Sequence, residues 1–369
     1  MTLILTFLGK GGVGRSTMAI ATAQQLANQG KRVLLTSHDS GPVLGTWLGL
    51  DLTCSPQTLS TNLDVLQFQS TALFERSWED VKRTEAQYLK DPFFKNVYGQ
   101  ELGIMPGMDE ALALDLLRQY EGAGTYDVII YDGHGDQSTL RMFGMPEVLG
   151  WYIQRFRSVF LDSDLVKTLT PFAQPVASAV LNVDWGGDWF AQPADSANNV
   201  LEQGKAAVNN PQRVAAYLVT TPEMEAIATA KYLWGSAQQI GLAVNGVLLN
   251  RSQERADILP QFAPLSVTTV PDLTLDDNGI ERWQPIAATL PDMSQTAIAP
   301  RPITIDVIQR TVKLFLPHFD KKQVKLTQYG PEVTIEAGDQ RRNISLPPEL
   351  RGKSVTGAKF QDSYLIISF

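Results

Sequence analysis

The chain of 369 residues is 44% hydrophobic and 19% charged, enough to bury a substantial core and to hold two domains. A net charge of −8 removes the basic stripe that a polyanion requires, so nucleic acid is excluded as a partner class. One cysteine, Cys54, excludes an internal disulfide and a CxxC zinc or redox site, and no apolar run is long enough to cross a bilayer.

The apolar run at 3–8 (LILTFL) predicts a buried strand that starts too early to leave room for a signal peptide. A cytoplasmic chain is expected, or a plastid stromal one if the sequence is a mature product. Directly after the strand comes GKGGVGRST at 9–17. Gly9, Gly14 and Ser16 fit the phosphate-loop pattern G-x-x-x-x-G-K-[ST]; Arg15 takes the lysine place, and a second basic residue, Lys10, lies inside the loop. Gly9, Gly11, Gly12 and Gly14 let the backbone turn its N–H groups inward. Residues 16–29 have helical spacing, so the loop opens a helix whose N-terminus favours an anion. Val13 and Thr17 complete the candidate nucleotide-binding set, and Ser16 offers a hydroxyl ligand for Mg²⁺.

Further apolar runs at 32–37, 63–68, 127–132, 159–162, 215–221 and 244–250 read as buried parallel strands. Helical patterns at 109–119 and 222–240 lie between them. This alternation predicts a doubly wound, mostly parallel α/β sheet covered by helices, with ligand at the carboxyl ends of its strands. Two long blocks, 71–107 and 144–210, read as helical insertions forming a lobe. Their large apolar side chains, Met145, Leu149 and Trp151 among them, are either ordinary core or an exposed groove for a hydrophobic client. A helix is expected at 303–316, flanked by prolines. From Gln323 onward apolar residues recur with period two, as at Val324, Leu326, Val333, Ile335, Ile344, Leu346, Leu365 and Ile367. The tail therefore reads as a small β-sandwich, with the domain boundary near 320 so that 1–320 and 321–369 are the two units.

GKGGVGRST resembles the deviant phosphate loop of the ParA, MinD and nitrogenase iron protein class, K-G-G-x-G-K-[ST]. Within that class, residues 106–111 (PGMDEA), Asp132 with Thr139-Leu140-Arg141 and Pro146, residues 219–223 (VTTPE) and residues 247–250 (VLLN) resemble the ArsA arsenite-pump ATPases. They equally resemble the relatives of ArsA that target tail-anchored membrane proteins. The tail, at 338–344 and 355–360, is similar to the α-crystallin-like domain appended to some bacterial and plastid members. The resemblance implies ATP or ADP with Mg²⁺ as ligands and a homodimer in which Lys10 reaches the partner's nucleotide. It implies that Asp132 holds Mg²⁺ through water, that Asn250 reads adenine, and that Pro271 and Asp272 belong to a later nucleotide-site loop.

The departures from the family pattern bear on turnover. Gly45 stands where the family's water-positioning aspartate is expected, and His38 replaces the first aspartate of the same stretch. Asp39 is displaced by one residue and could still contact Mg²⁺ or water. In the rewritten switch after Asp132, Asp136 is a candidate base or a turn residue, and His134 a base or a backbone-bonded loop residue. Arg15 keeps the attraction to phosphate but, as a planar fork, misplaces it relative to lysine. The lone Cys54 leaves no zinc site, no iron–sulfur cluster and no arsenite cluster, and reads as a small buried filler. With no terminal basic amphipathic helix, direct membrane insertion is not expected. Two functions remain: a homodimeric, nucleotide-gated chaperone for hydrophobic client segments that hydrolyses ATP weakly, or a degenerate ATPase that serves a protein partner as a nucleotide-sensing scaffold.

Overall fold

A computed structural model describes residues 1–75, 107–161, 192–253, 255–273, 279–294 and 300–369. Strands β1 (Leu3–Leu8), β2 (Val33–Ser37), β3 (Gln57–Ser60), β4 (Leu63–Gln67), β5 (Val128–Asp132), β6 (Val214–Thr220), β7 (Ala243–Asn250) and β8 (Val267–Val270) form one sheet in the order β3-β4-β2-β5-β1-β6-β7-β8. Neighbours run parallel, apart from the antiparallel edge pair β3–β4. Helices α1 (Arg15–Asn28), α2 (Val43–Leu48), α3 (Met108–Ala123), α4 (Gln137–Leu161), α5 (Gln192–Val208), α6 (Met224–Gln239) and α7 (Gln284–Ala287) accompany it.

The alternation of side chains along a strand makes two cores. On β1, Leu3, Leu5 and Phe7 enter one cluster with α1, while Ile4 and Leu8 enter the other with α3, α4 and α6. A strand buried on both faces needs apolar residues at every position, which is why the central strands read as unbroken runs. Because β1, β2, β5, β6 and β7 are parallel, Leu8, Ser37, Asp132, Thr220 and Asn250 all emerge at one edge of the sheet.

Two expected elements differ. The run at 159–162 is not a strand: residues 159–161 end α4, which continues from Gln137 past an internal Pro146, and residue 162 lies outside the described residues. A four-residue apolar run has no period of its own, so strand and helix end look alike in sequence. The helix expected at 303–316 is instead a hairpin of β9 (Ile303–Asp306) and β10 (Thr311–Phe315), turned by the Asp306 carboxylate accepting the Gln309 N–H at 2.8 Å. The alternation Ile303, Ile305 and Val312, Leu314 fits strands, and Thr304, Ile305 and Thr311 are β-branched. Most of the block at 71–107, and 162–191 within the second block, lies outside the described residues.

The C-terminal unit adds β11 (Val324–Tyr329), β12 (Glu332–Ala337), β13 (Gln340–Ser345), β14 (Gly357–Gln361) and β15 (Tyr364–Ser368). Sheets β14-β15-β10-β9 and β11-β12-β13 are both antiparallel and close over a shared core of Val312, Leu314, Val333, Ile335, Ile344 and Ile367. The sheet that holds the chain's last strand thus begins at Ile303, upstream of position 320.

This sandwich docks on α4 and α6. Trp234 is buried with its ring 5.6 Å from that of Phe315, and Gly235 leaves room for the Pro317 carbonyl, which a Cβ would approach to 2.6 Å. Arg342, buried at the seam, donates to the Gln238 carbonyl and the Asn209 side chain, each at 3.1 Å, and faces Glu147 of α4 at 4.0 Å. Burial lowers the Arg342 pKa and raises that of Glu147, with each opposing charge only partly compensating. Removing one member of such a buried pair strands the other. Arg342→Ala should therefore lose about 3 kcal/mol in urea unfolding. The double variant Arg342→Met with Glu147→Gln should recover at least half of that loss; no recovery would show that the pair is not the cause.

Candidate functional site

The site is built where β1 ends and α1 begins. Gly9 closes β1 and is buried; a Cβ there would run into the Val219 carbonyl of β6. Gly12 and Gly14 have φ of 84° and 97°, the left-handed region that favours glycine, and Gly14 caps α1. Val13 anchors the loop in the α1-side core, while Lys10, Gly11 and Gly12 are exposed. Arg15, Ser16 and Thr17 form the half-buried first turn of α1, which holds no acidic residue to compete with a phosphate.

Beneath this turn stands Asp132, the last residue of β5 and buried. The Ser16 hydroxyl lies near enough to favour its charged form. Burial pushes the Asp132 carboxyl up to about 6, chiefly by desolvation; the Ser16 hydroxyl and the charge of Arg15 pull it down, while Asp39 adds to the rise. A buried carboxylate whose charge is only partly offset, beside an alcohol and under a phosphate loop, is the donor set that suits a hard cation such as Mg²⁺. The residues fit that ion.

Arg15 does not extend from the loop. Its Nη1 donates to the Gly9 carbonyl at 2.7 Å, and its side chain lies against Gly135. Burial lowers its pKa, opposed by Asp132 and Asp136, yet guanidinium remains charged at any physiological pH. Gly135 in turn accepts the Gly9 N–H at 2.9 Å, so the loop after β5 is stitched to the phosphate loop. The φ of Gly135 is 65°, and a Cβ there would stand 2.5 Å from Arg15 Nη1 and 2.6 Å from the Phe7 carbonyl oxygen.

The other expected site residues divide. Asn250, ending β7, is buried against the loop and donates from Nδ2 to the Val13 carbonyl at 2.7 Å. Asp39 is exposed; its carboxylate accepts the Gly41 N–H at 2.8 Å in a local turn, close enough to Asp132 to be felt electrostatically. Asp136 accepts the Ser138 N–H at 2.9 Å, the capping bond of α4, so its carboxylate is occupied as a turn residue. Pro271 and Asp272 follow β8, whose Val270 carbonyl accepts the Ser252 N–H at 3.0 Å. His134 is exposed, its ring 4.5 Å from that of His38. His38 Nδ1 shares a 2.9 Å hydrogen bond with the Tyr131 hydroxyl, and burial lowers its pKa, so it is neutral near pH 7.

Two residues, Arg251 and Tyr131, were not singled out in the sequence, and Gly45, which was, carries a steric constraint that the sequence does not show. Arg251, with φ 52°, reaches back so that Nη1 donates to the Gly12 carbonyl at 3.4 Å; its place after Asn250 was the only signal. Tyr131 is a buried partner of His38 that reads in sequence as one more strand residue. Gly45, within α2, has no space for a side chain: a Cβ would lie 2.6 Å from the Leu50 carbonyl oxygen, and Leu50 N–H donates to the Gly45 carbonyl at 3.0 Å.

The chain is similar to known proteins over its whole length. Residues 2–291 match the family described as anion-transporting ATPase, and residues 309–369 match the HSP20-like domain found in ArsA. A protein of Chlorobaculum tepidum that carries the name arsenical pump-driving ATPase is 25% identical over 393 aligned residues, covering 99% of this chain and 95% of that one. A namesake from Aquifex aeolicus is 23% identical and covers 99% of both. An ATPase ASNA1 homolog of Plasmodium vivax is 32% identical over 143 residues, 38% of this chain and 36% of its own. The extent of the first match, from β1 through α7, takes in the phosphate loop, Asp132 and Asn250, and on that ground the chain belongs to the ArsA family of ATPases, with the family's HSP20-like domain at its C-terminal end.

Proposed function

We propose that this ArsA-family protein is a homodimeric, nucleotide-gated chaperone that binds Mg·ATP at the phosphate loop and hydrolyses it slowly. The observation that carries the nucleotide reading is the buried Asp132 at the end of β5 beside Ser16, in the first turn of a helix capped by the left-handed Gly14. Ser16 and Asp132 would hold Mg²⁺, whose charge would offset that of the phosphates. The loop N–H groups orient the phosphates, and Asn250 and Arg251 fix the loop backbone through the carbonyls of Val13 and Gly12. Lys10, exposed at the loop, is free to meet a nucleotide on a facing subunit. Asn250, Pro271 and Asp272 border the side where the base would lie, and Asp39 is the carboxylate whose charge acts on Asp132.

Slow turnover follows from Arg15. Its guanidinium is held by the Gly9 carbonyl, so approach to a γ-phosphate must break that bond and swing a planar fork through a space bounded by Gly135. Client binding is supported by the resemblance to ATPases that target tail-anchored proteins and by the apolar residues of the inserted segments. Among these, Met145, Pro146 and Leu149 line a cavity of about 180 Å³ between α3, α4 and α5. Trp151 is instead engaged by the C-terminal unit: its Nε1 donates to Glu332 at 3.0 Å and the Arg341 guanidinium lies 5.1 Å over its ring. The scaffold reading draws on Gly45, since no carboxylate can be placed there without moving the Leu50 backbone.

Arg15→Lys should raise the single-turnover rate of ATP hydrolysis on the order of 100-fold. Wild type turning over as fast as the lysine variant would contradict the account of Arg15. The chaperone reading predicts that the full chain captures an apolar transmembrane-type peptide with Mg·ATP but not with Mg·ADP. Capture in neither state would overturn it in favour of the scaffold.

A further inference from the structure

The turn of the β12–β13 hairpin, Gly338-Asp339, lies over the first turns of α4, the helix that issues directly from the loop after β5. Gln340, buried beside this turn, donates from Nε2 to the Gln137 side-chain oxygen at 2.6 Å. Gln137 is the first residue of α4, and its own Nε2 donates to Ser236 Oγ of α6 at 3.1 Å. One turn later Arg141 forms an ion pair with Asp339, whose N–H also donates to the Tyr232 hydroxyl at 3.2 Å. Gln239 of α6 donates to the Ala337 carbonyl at 2.5 Å. The hairpin end is thus fixed to both helices at once.

The position of Gln137 gives these contacts their consequence. Asp136 beside it caps α4, and Gly135, two residues before it, receives the Gly9 N–H and backs the Arg15 side chain. Between the β-domain and the phosphate loop there are therefore three consecutive residues: Gly135 accepts from Gly9, Asp136 caps α4, and Gln137 bonds Gln340 and Ser236. The Gln340 amide is buried, whereas Arg141 and Asp339 are more than half exposed, so the Gln340–Gln137–Ser236 chain is the stronger part of the link and the ion pair contributes little. A Gln340 side chain removed would leave Gln137 Oε1 short of its donor at the start of α4.

From this we infer that Gln340 is a positioning residue for the nucleotide site. It holds the N-terminus of α4, and so sets where Gly135 and Asp136 stand relative to Arg15 and to a bound γ-phosphate. The inference rests on the nucleotide-binding reading of the phosphate loop. Coupling of this kind is reciprocal: whatever the terminal phosphate does to the 133–136 loop must be felt at the hairpin, and whatever loosens the hairpin must change the affinity for that phosphate. The HSP20-like unit is then part of the ATP-state sensor as well as a neighbour of it.

The test uses the full chain with two probes, Mg·ADP and the Mg complex of the β,γ-imido analogue of ATP. Gln340→Ala should weaken analogue binding at least about fivefold while ADP affinity moves less than about twofold. In the wild type, amide exchange at 338–342 should be slower with the analogue than with ADP. An unchanged analogue-to-ADP affinity ratio in Gln340→Ala, even with a lowered melting temperature, would make Gln340 a structural brace and overturn the inference. Equal exchange at 338–342 in the two states, with the 9–16 amides responding to nucleotide, would overturn it as well. Wild type that binds neither probe would remove the nucleotide reading itself, and this inference with it.

Discussion

The hydrogen bond from the Gly9 N–H to the Gly135 carbonyl joins the two loops on which the site depends. It ties the end of β1 to the turn after β5, and it closes the space in which Arg15 lies. The carboxylates that act on Arg15, Asp132 and Asp136, belong to the β5 side of that seam, while the N–H groups of the phosphate loop belong to the β1 side. The seam needs glycine at both ends: one is pressed against β6, and the other has a left-handed φ and no room for a Cβ.

From the seam outward, the same physical logic repeats. The desolvated Asp132 carboxylate is costly alone and is partly relieved by Ser16 and Arg15, so the site is electrostatically prepared for a cation and an anion together. Arg15 donates from Nη1 to its own loop carbonyl, and its side chain fills the space that the missing Gly135 side chain leaves. Beyond Gly135, Asp136 and Gln137 pass directly into a helix that the C-terminal sandwich grips. The ATPase unit and the β unit therefore share a polar seam as well as the apolar one around Trp234.

Much of this was legible in the sequence. The central strands show as unbroken apolar runs because both their faces are buried, and the phosphate loop shows because its glycines and Ser16 are fixed in spacing by backbone geometry. The β-sandwich shows because its strands have one wet face, which writes period two into Val333 and Ile335. What misled was short and local. Residues 303–316 alternate, yet the turn at Asp306 and the flanking prolines gave a compact segment that passes for a helix. Residues 159–161 have no period at all. The site's second layer was less visible still, since Gln137, Gln340 and Arg342 are polar residues whose burial depends on the docking of two units far apart in the chain. The sequence leaves Asp136 as a base or a turn residue, and the resemblance gives Asn250 to adenine, for a related reason: the same side chain can serve the ligand or the backbone. Here both are hydrogen-bonded to backbone groups.

The most direct test of the seam is calorimetric titration of Mg·ADP into wild type and Gly135→Ala. The added methyl would meet the Phe7 carbonyl oxygen and the Arg15 side chain, so the phosphate loop must shift. Affinity should fall about tenfold or more, the equivalent of one lost charge-assisted hydrogen bond, while far-UV circular dichroism remains that of the folded chain. A folded Gly135→Ala variant that binds Mg·ADP as tightly as the wild type would contradict the account.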